Sequence, residues 1–501
     1  MPQSAVASSS RAMLALLFVA TLAIQSCQNY LLQGFNEDKV FQASVGQGWR
    51  DGHGFTIPVL RPTGFDRVPF VGFPPGYSLL FAAAIGIGRD PFLTGFIVDT
   101  AAAAVFCAAW YALLAMLEPG IGRIAGLIVG AYWAVAFSPL VDLPSSDALS
   151  LALYSASVAM AIHAIVARRG SAWAVAAGFA AGGAAAVRFA YWPLVVVPAL
   201  VLVLVSRERR LARLAAYGAP SFAVVLWAAL VNVRSSGVLT TVLRPSHAIH
   251  WKNFLNTTPF GAEIFGFEVA WNRLTVSLPI LAPIVLVALW AVTAFVLAVS
   301  VTVSLRDVRD SSDPVVRAFS ACTLLTLLVT GALIAGLGAV TPQAADGWTI
   351  NRDASRYLGP TFPFLMVAVV RAAAQRRRLM ALTTIVLLVV GGASVVAYRA
   401  GQLRMTLTKN REAYPSGPRT RAWLAALHAV IRGQVDRGRP VLYCDPDLTR
   451  EYFAIMSGAV APRGGCSKAE RQQAGDAGGL IVQPQDVPGR AATTPASAAP
   501  P

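Results

Sequence analysis

The sequence predicts an all-α polytopic membrane protein of about 11 transmembrane helices, with a re-entrant or interfacial helix in the first outer loop and a small C-terminal α/β appendage. Three observations predict it. Of the 501 residues, 56% are hydrophobic and only 13% are charged, and the mean hydropathy of +0.58 is far above that of a soluble domain. The apolar residues come in long runs instead of amphipathic stripes. Between those runs lie Arg clusters, Arg168-Arg169, Arg207 to Arg213, Arg306 to Arg309 and Arg371 to Arg378, and short basic loops of that kind mark the cytoplasmic side.

The runs place spans at 12–33, 94–117, 123–140, 147–167, 172–189, 191–206, 214–232, 276–304, 316–340, 357–371 and 380–398. With the N-terminus inside, all four Arg clusters fall in the cytoplasm. The loops 34–93, 233–275 and 341–356 and the C-terminal tail then fall outside. Segment 76–88 is too short to cross a bilayer, hence its reading as interfacial or re-entrant; a crossing there would invert every later loop. Ala12 to Ser26 has the look of a signal-peptide core, but the apolar character continues to Leu32 with no clean small-residue cleavage site, so a retained anchor is expected.

The expected domains are a transmembrane region 1–400, a small extracytoplasmic α/β region 401–488 and a disordered Ala-, Pro- and Thr-rich tail 489–501. Within the second, Trp423, Leu424, Leu427 and Ile431 recur at helical spacing, Pro440 to Cys444 reads as a strand, Leu448 to Met456 as a helix and Gly479 to Val482 as a second strand. Cys444 and Cys466 lie where an oxidising compartment would permit a disulfide, while Cys27, Cys107 and Cys322 lie in spans. The net charge of +16 suggests nucleic acid at first sight. Its location in loops, without interleaved aromatics, excludes that partner.

Chemistry concentrates behind the first span. Glu37 and Asp38 follow it within about two helical turns, at the lipid-water boundary. A carboxylate there is partly desolvated, and a like-charged neighbour raises one pKa of a pair, which suits general-base catalysis. The competing reading is a polar stop after an anchor. Lys39, Arg188 and Arg356 fall at the outer ends of spans. Arg offers a planar fork that suits phosphate oxygens, against the alternative of snorkelling to headgroups. Arg188 stands out because it interrupts an Ala- and Gly-rich span, where a charge is expensive unless it faces a cavity or a partner.

The outer loop carries Asp38, Phe41, Ala43, the turn Gly52-His53-Gly54-Phe55 and then Phe73-Pro74-Pro75-Gly76-Tyr77-Ser78. Further on come Leu143-Pro144-Ser145-Ser146-Asp147, Ala185-Ala186-Val187-Arg188-Phe189 and Arg356-Tyr357-Leu358-Gly359-Pro360. In this order the pieces, covering roughly 12–400, resemble the GT-C superfamily of polyprenyl-phosphate-sugar-dependent glycosyltransferases, which includes the protein O-mannosyltransferases and the aminoarabinose lipid A transferases. The resemblance implies a multi-pass enzyme of a bacterial plasma membrane with its C-terminus extracytoplasmic. It would transfer a sugar from a polyprenyl-phosphate donor to a lipid, glycan or protein acceptor, with inversion. Asp38 would be the base, with Glu37 as the alternative, and Lys39, Arg188, Arg356, Tyr357, Tyr77 and Asp147 would bind substrate. Asp142 and Asp147 could help bind acceptor or metal, although Asp147 also fits a helix N-cap. Some members of the superfamily need a divalent metal and others do not, so no cofactor is implied with certainty.

Other features are less specific. His53 fits a turn or a substrate contact, His163 a structural place within a span, and Asp99 either a helix N-terminus or a groove. His247 and His250 share a loop with Trp251 and Lys252 but have no third metal ligand nearby. Trp251, Phe254, Phe260, Phe265, Phe267 and Trp271 suggest a surface lid or sugar stacking. The rival functions are a polyprenyl-linked glycan flippase or polymerase, which also handles such carriers, and a secondary transporter, whose inverted repeats are not visible.

Overall fold

The computed structural model describes residues 3–32, 37–70, 72–121, 129, 145–167, 170–206, 209–239, 264–265, 279–340, 357–375, 378–408 and 418–487. Among them the chain is predominantly helical, and eight helices are long and apolar enough to cross a membrane. The span expected at 123–140 lies outside the described residues except for residue 129. Two other expected spans are short. The segment from Phe189 begins with two 3-10 turns before helix Val196–Val205, and the one from Tyr357 has the turn Gly359–Thr361 before helix Phe362–Gln375. Pro193 and Pro360 sit at the starts of those turns, where a residue without an N–H is tolerated.

The chain divides into two compact units, 1–28 with 99–231 and 240–401, and 29–98 with 232–239 and 402–501. Helices α1 (Gln3–Leu32) and α4 (Pro91–Ile121) contribute to both. The first unit also contains α5 (Ser145–Val166), α6 (Gly170–Val187), α7 (Val196–Val205), nearly all of α8 (Arg210–Ser236), α9 (Ala282–Asp310), α10 (Pro314–Val340), α11 (Phe362–Gln375) and most of α12 (Arg378–Thr408). Helices α5 and α6 pair as a hairpin of small residues, and the Ser157 hydroxyl donates to the Ala177 carbonyl at 2.8 Å. Glycines on α6 let α8 come close: a Cβ at Gly178 would overlap the Tyr217 carbonyl. In a span, where apolar side chains gain little by leaving lipid, such close approach and interhelical hydrogen bonds hold the helices. Thus the Trp110 indole donates to Ser155 at 3.1 Å, and the Tyr154 hydroxyl shares a 2.6 Å hydrogen bond with Thr326.

Two of the basic clusters meet in this unit. Arg306 and Arg309 belong to α9, which runs beyond the expected end at 304, and Asp307 accepts an ion pair from Arg371 at 2.6 Å. Arg306 also donates to Gln375 at 2.6 Å. These charges extend helices and pair between them, so they are not confined to loops.

The second unit contains α2 (Glu37–Arg50), the antiparallel hairpin β1 (Thr56–Arg61) and β2 (Gly64–Pro69), and α3 (Gly76–Gly88). It continues with α13 (Pro418–Val435), β3 (Val441–Tyr443), α14 (Leu448–Met456), α15 (Lys468–Asp476) and β4 (Leu480–Val482). Strands β3 and β4 pair in parallel, and Cys444 and Cys466 form a disulfide. The unit's core gathers Phe92, Leu424, Leu427, Ile431, Tyr443 and Phe453. Helix α3 is the 13-residue segment expected to be interfacial or re-entrant; it stops at Arg89, whose φ of 61° is left-handed.

Candidate functional site

The first-loop carboxylates lie at the head of α2, directly after the first span. Asp38 is half-buried and its main-chain carbonyl accepts from the Gln42 side chain at 3.0 Å. The Glu37 side chain is outside the described residues. One residue on, Lys39 is buried, a placement that a lysine adopts only when compensated. One turn on, the Phe41 ring stands 5.4 Å from that of Phe70, which stands 6.2 Å from that of Phe73. Tyr77, in the first turn of α3 behind Pro74-Pro75, is fully buried, with its ring 6.5 Å from that of Phe81. The neighbouring helices α2 and α3 thus bring Asp38, Lys39 and Tyr77 into one unit. Their crossing is tight, since a Cβ at Gly46 would overlap the Ser78 carbonyl.

The other end of α2 is clamped. The Asp51 carboxylate accepts two parallel hydrogen bonds from the Arg432 guanidinium, at 2.7 and 2.9 Å, and a third from Gln47 at 3.0 Å. Arg67 donates to the Thr56 hydroxyl at 3.0 Å, and burial lowers its pKa while Asp51 opposes that shift. Nearby on α13, His428 contacts the Ser457 hydroxyl at 3.0 Å through Nδ1. Burial, aided by Arg432, lowers the His428 pKa to about 4. In α14, burial raises the Glu451 carboxyl above its usual range, and the Gly464 N–H donates to it at 3.2 Å.

In the first unit, Arg188 lies in the extended break that ends α6, not within the helix itself. Its Nε is 2.7 Å from Asp147 Oδ1, both side chains are buried, and Nη1 donates to the Ser146 hydroxyl at 3.2 Å. Asp147 occupies the first turn of α5. The cation and the acid read separately in the sequence are therefore one ion pair. Tyr357 is half-buried just before the turn that leads into α11. Arg356, Asp142, His247, His250, Trp251, Lys252, Phe254, Phe260, Phe267 and Trp271 lie outside the described residues.

His53 is exposed in a turn whose flanking glycines have φ of 81° and 70°. His163 packs edge-on to Trp173, with ring centroids 4.7 Å apart. Among the described residues, no group of three or more His, Cys, Asp or Glu side chains could hold a metal ion. Asp51, Arg432 and His428 are contributors that the sequence does not single out, and Ser146 stands out there only as a neighbour of Asp147. The partners Asp51 and Arg432 are 381 residues apart, so no local pattern announces them.

No family profile matches the chain, and no curated protein matches it in sequence. Solved structures do match. The zinc- and sulfate-bound oligosaccharyltransferase of Archaeoglobus fulgidus aligns over 94% of this chain and 67% of its own, at 12% identity and a TM-score of 0.51. Its apo form aligns over 90% and 64%, at 12% identity and a TM-score of 0.50. The chain shares the fold of that oligosaccharyltransferase. ArnT of Cupriavidus metallidurans bound to undecaprenyl phosphate aligns over 88% of this chain and 74% of its own, at 15% identity and a TM-score of 0.46. At these identities the likeness is one of fold, and a fold alone does not assign chemistry.

Proposed function

We propose that the chain is a membrane glycosyltransferase that moves a sugar from a polyprenyl-phosphate donor to an extracytoplasmic lipid, glycan or protein acceptor. The observation that carries this reading is Asp38, half-buried at the head of α2 directly behind the first span of a GT-C fold. Outside the cytoplasm there is no nucleotide-activated sugar, so a donor held in the membrane by its lipid fits the apolar helices.

The reaction is a single displacement. The acceptor oxygen attacks the anomeric carbon, the bond from that carbon to the phosphate oxygen breaks, and polyprenyl phosphate departs with the electron pair. Asp38 takes the acceptor's proton, with Glu37 as the alternative base, and the sugar is inverted. Arg188, oriented by Asp147, and Arg356, next to Tyr357, serve as cations for phosphate. Lys39 and Tyr77 serve the substrate beside α2. The Cys444–Cys466 disulfide supports an oxidising, extracytoplasmic side for the region 401–488. Helix α3 is read as lying at the interface.

The test is transfer by the purified full chain in lipid nanodiscs, given a panel of radiolabelled polyprenyl-phosphate sugars and a membrane extract as acceptor source. Label should leave at least one donor and appear in an acceptor fraction. Translocation of intact lipid-linked sugar without cleavage would favour the flippase reading and overturn this one.

A further inference from the structure

Helix α2 carries the proposed base at one end, and just past its other end Asp51 enters a half-buried ion pair. Asp38 and Asp51 are separated by 13 positions, about 20 Å along the helix. Between them, α2 passes so close to α3 at Gly46 that a Cβ there would overlap the Ser78 carbonyl oxygen, which makes this contact the natural fulcrum of the helix. At the far end, Arg432 grips Asp51 with both Nη atoms, and Gln47 adds a third bond from within the helix. The Arg432 and Asp51 side chains are only 16% and 17% exposed, so water screens the pair little. A third bond from Arg432, to Asp436 at 2.5 Å, fixes the guanidinium plane. Arg67 flanks the same helix end: a Cβ at Gly48 would lie 2.6 Å from its Nη2. Helix α14 packs against α2 as well.

A rod pinned at its middle and at one end has its other end fixed. If the clamp were released, a tilt of about 10° at Gly46 would move Asp38, about 12 Å away, by about 2 Å. Displacements of about 1 Å in a catalytic group are enough to lower rates by about 100-fold.

We propose that Arg432, on α13 of the C-terminal segment, is a positioning residue for the first-loop carboxylate: its bidentate pair with Asp51 sets the angle of α2 and thereby the place of Asp38. The inference rests on the glycosyltransferase reading for its kinetic consequence but not for its structural one. The C-terminal segment is then part of the catalytic apparatus and not an appendage. Its partner at the end of α2 is chosen by fork geometry, which a lysine cannot reproduce.

The test uses the full chain in nanodiscs with Arg432→Gln, Arg432→Lys, Asp51→Asn and the exchange pair Arg432→Asp with Asp51→Arg. One readout is steady-state transfer. The other is a spin-label distance distribution between the head of α2 and α3, which needs no activity. Arg432→Gln should lower kcat at least 10-fold with donor KM within about 2-fold, and should broaden the distance distribution. Arg432→Lys should recover little, and the exchange pair should recover more than either of its single changes. An unchanged kcat together with an unchanged distance distribution overturns the proposal, as does an equal loss of kcat with a sharp wild-type distribution. A wild-type chain inactive with every donor would sink the transferase reading, and the distance measurement would still decide whether the clamp sets α2.

Discussion

Arg188 and Asp147 form an ion pair at 2.7 Å inside the helical unit, with both side chains more than nine-tenths buried and Ser146 bonded to the same guanidinium. Removing one partner strands a charge that the surrounding Ala- and Gly-rich helices cannot solvate. Arg188→Ala and Asp147→Ala should each destabilise the protein by about 3–5 kcal/mol, measured by thermal unfolding in detergent. The double change Arg188→Met with Asp147→Leu should recover most of that loss. Because the alanine variant confounds folding with binding, Arg188→Lys is the informative change for phosphate capture. It keeps the charge and loses the fork, so it should weaken donor binding while the fold survives.

The long apolar helices were legible because their signal is local: a run of about 20 apolar residues needs no partner to declare itself. Legible for the same reason were the helix at 418–435, both strands of the C-terminal sheet and the position of the helix at 448–456. The hairpin at 56–69 was not read, although Arg61-Pro62-Thr63-Gly64 places a two-residue turn between strands that alternate weakly. Helix α15 was missed despite an explicit cue, since Ser467 and Glu470 form a capping box. Of the site, the sequence showed which residues were chemically unusual but not which of them touch. Arg188 was expensive in its setting, and the structure supplies the compensation as Asp147, 41 positions earlier. The Asp51–Arg432 pair joins segments too distant for any periodicity to link.

Asp38→Asn keeps the shape of the side chain and removes its basicity. Transfer should fall by about 100-fold or more, with donor binding retained, measured by single-turnover kinetics beside equilibrium binding. Glu37→Gln serves as the control. If Glu37→Gln abolishes transfer and Asp38→Asn does not, the base is Glu37; if neither change matters, no first-loop carboxylate acts as base.

His428 gives the C-terminal segment a pH dependence of definite sign. Its ring faces Ser457, Arg432, Asp436, Arg50 and the main chain of Arg89, and its pKa of about 4 lies below the unfolded value of 6.5. Between those values the unfolded state holds the extra proton, so stability is full above pH 6.5 and is lost progressively as the pH falls towards 4. The loss should reach about 3 kcal/mol at most, since one pKa unit corresponds to about 1.4 kcal/mol. Hydrogen exchange of residues 418–487 at steps from pH 7 to 4 should show it. His428→Gln, which cannot charge, should flatten the profile; an identical slope in the variant would assign the dependence to other groups.

The disulfide bears on both stability and topology. Cys444 and Cys466 are 22 positions apart, and closing a loop of that size restricts the unfolded chain by about 3 kcal/mol in the chain-entropy account. Reduction should therefore loosen the segment 418–487 selectively, seen as faster hydrogen exchange there and not in the apolar helices. Because such bonds persist only in an oxidising compartment, a membrane-impermeant reductant followed by an impermeant maleimide should label these two cysteines in intact cells. The free cysteines Cys107 and Cys322 are buried in apolar helices and should not respond. Reporter fusions after Asp51, Lys252 and Gly433 should read external, and fusions after Arg210 and Arg378 cytoplasmic. A cytoplasmic reading after Gly433, with Cys444 and Cys466 found reduced in cells, would place the tail on the other side. The Arg432–Asp51 pair and the proposed base would then face nucleotide sugars, and the argument for a lipid-linked donor would fall with the topology.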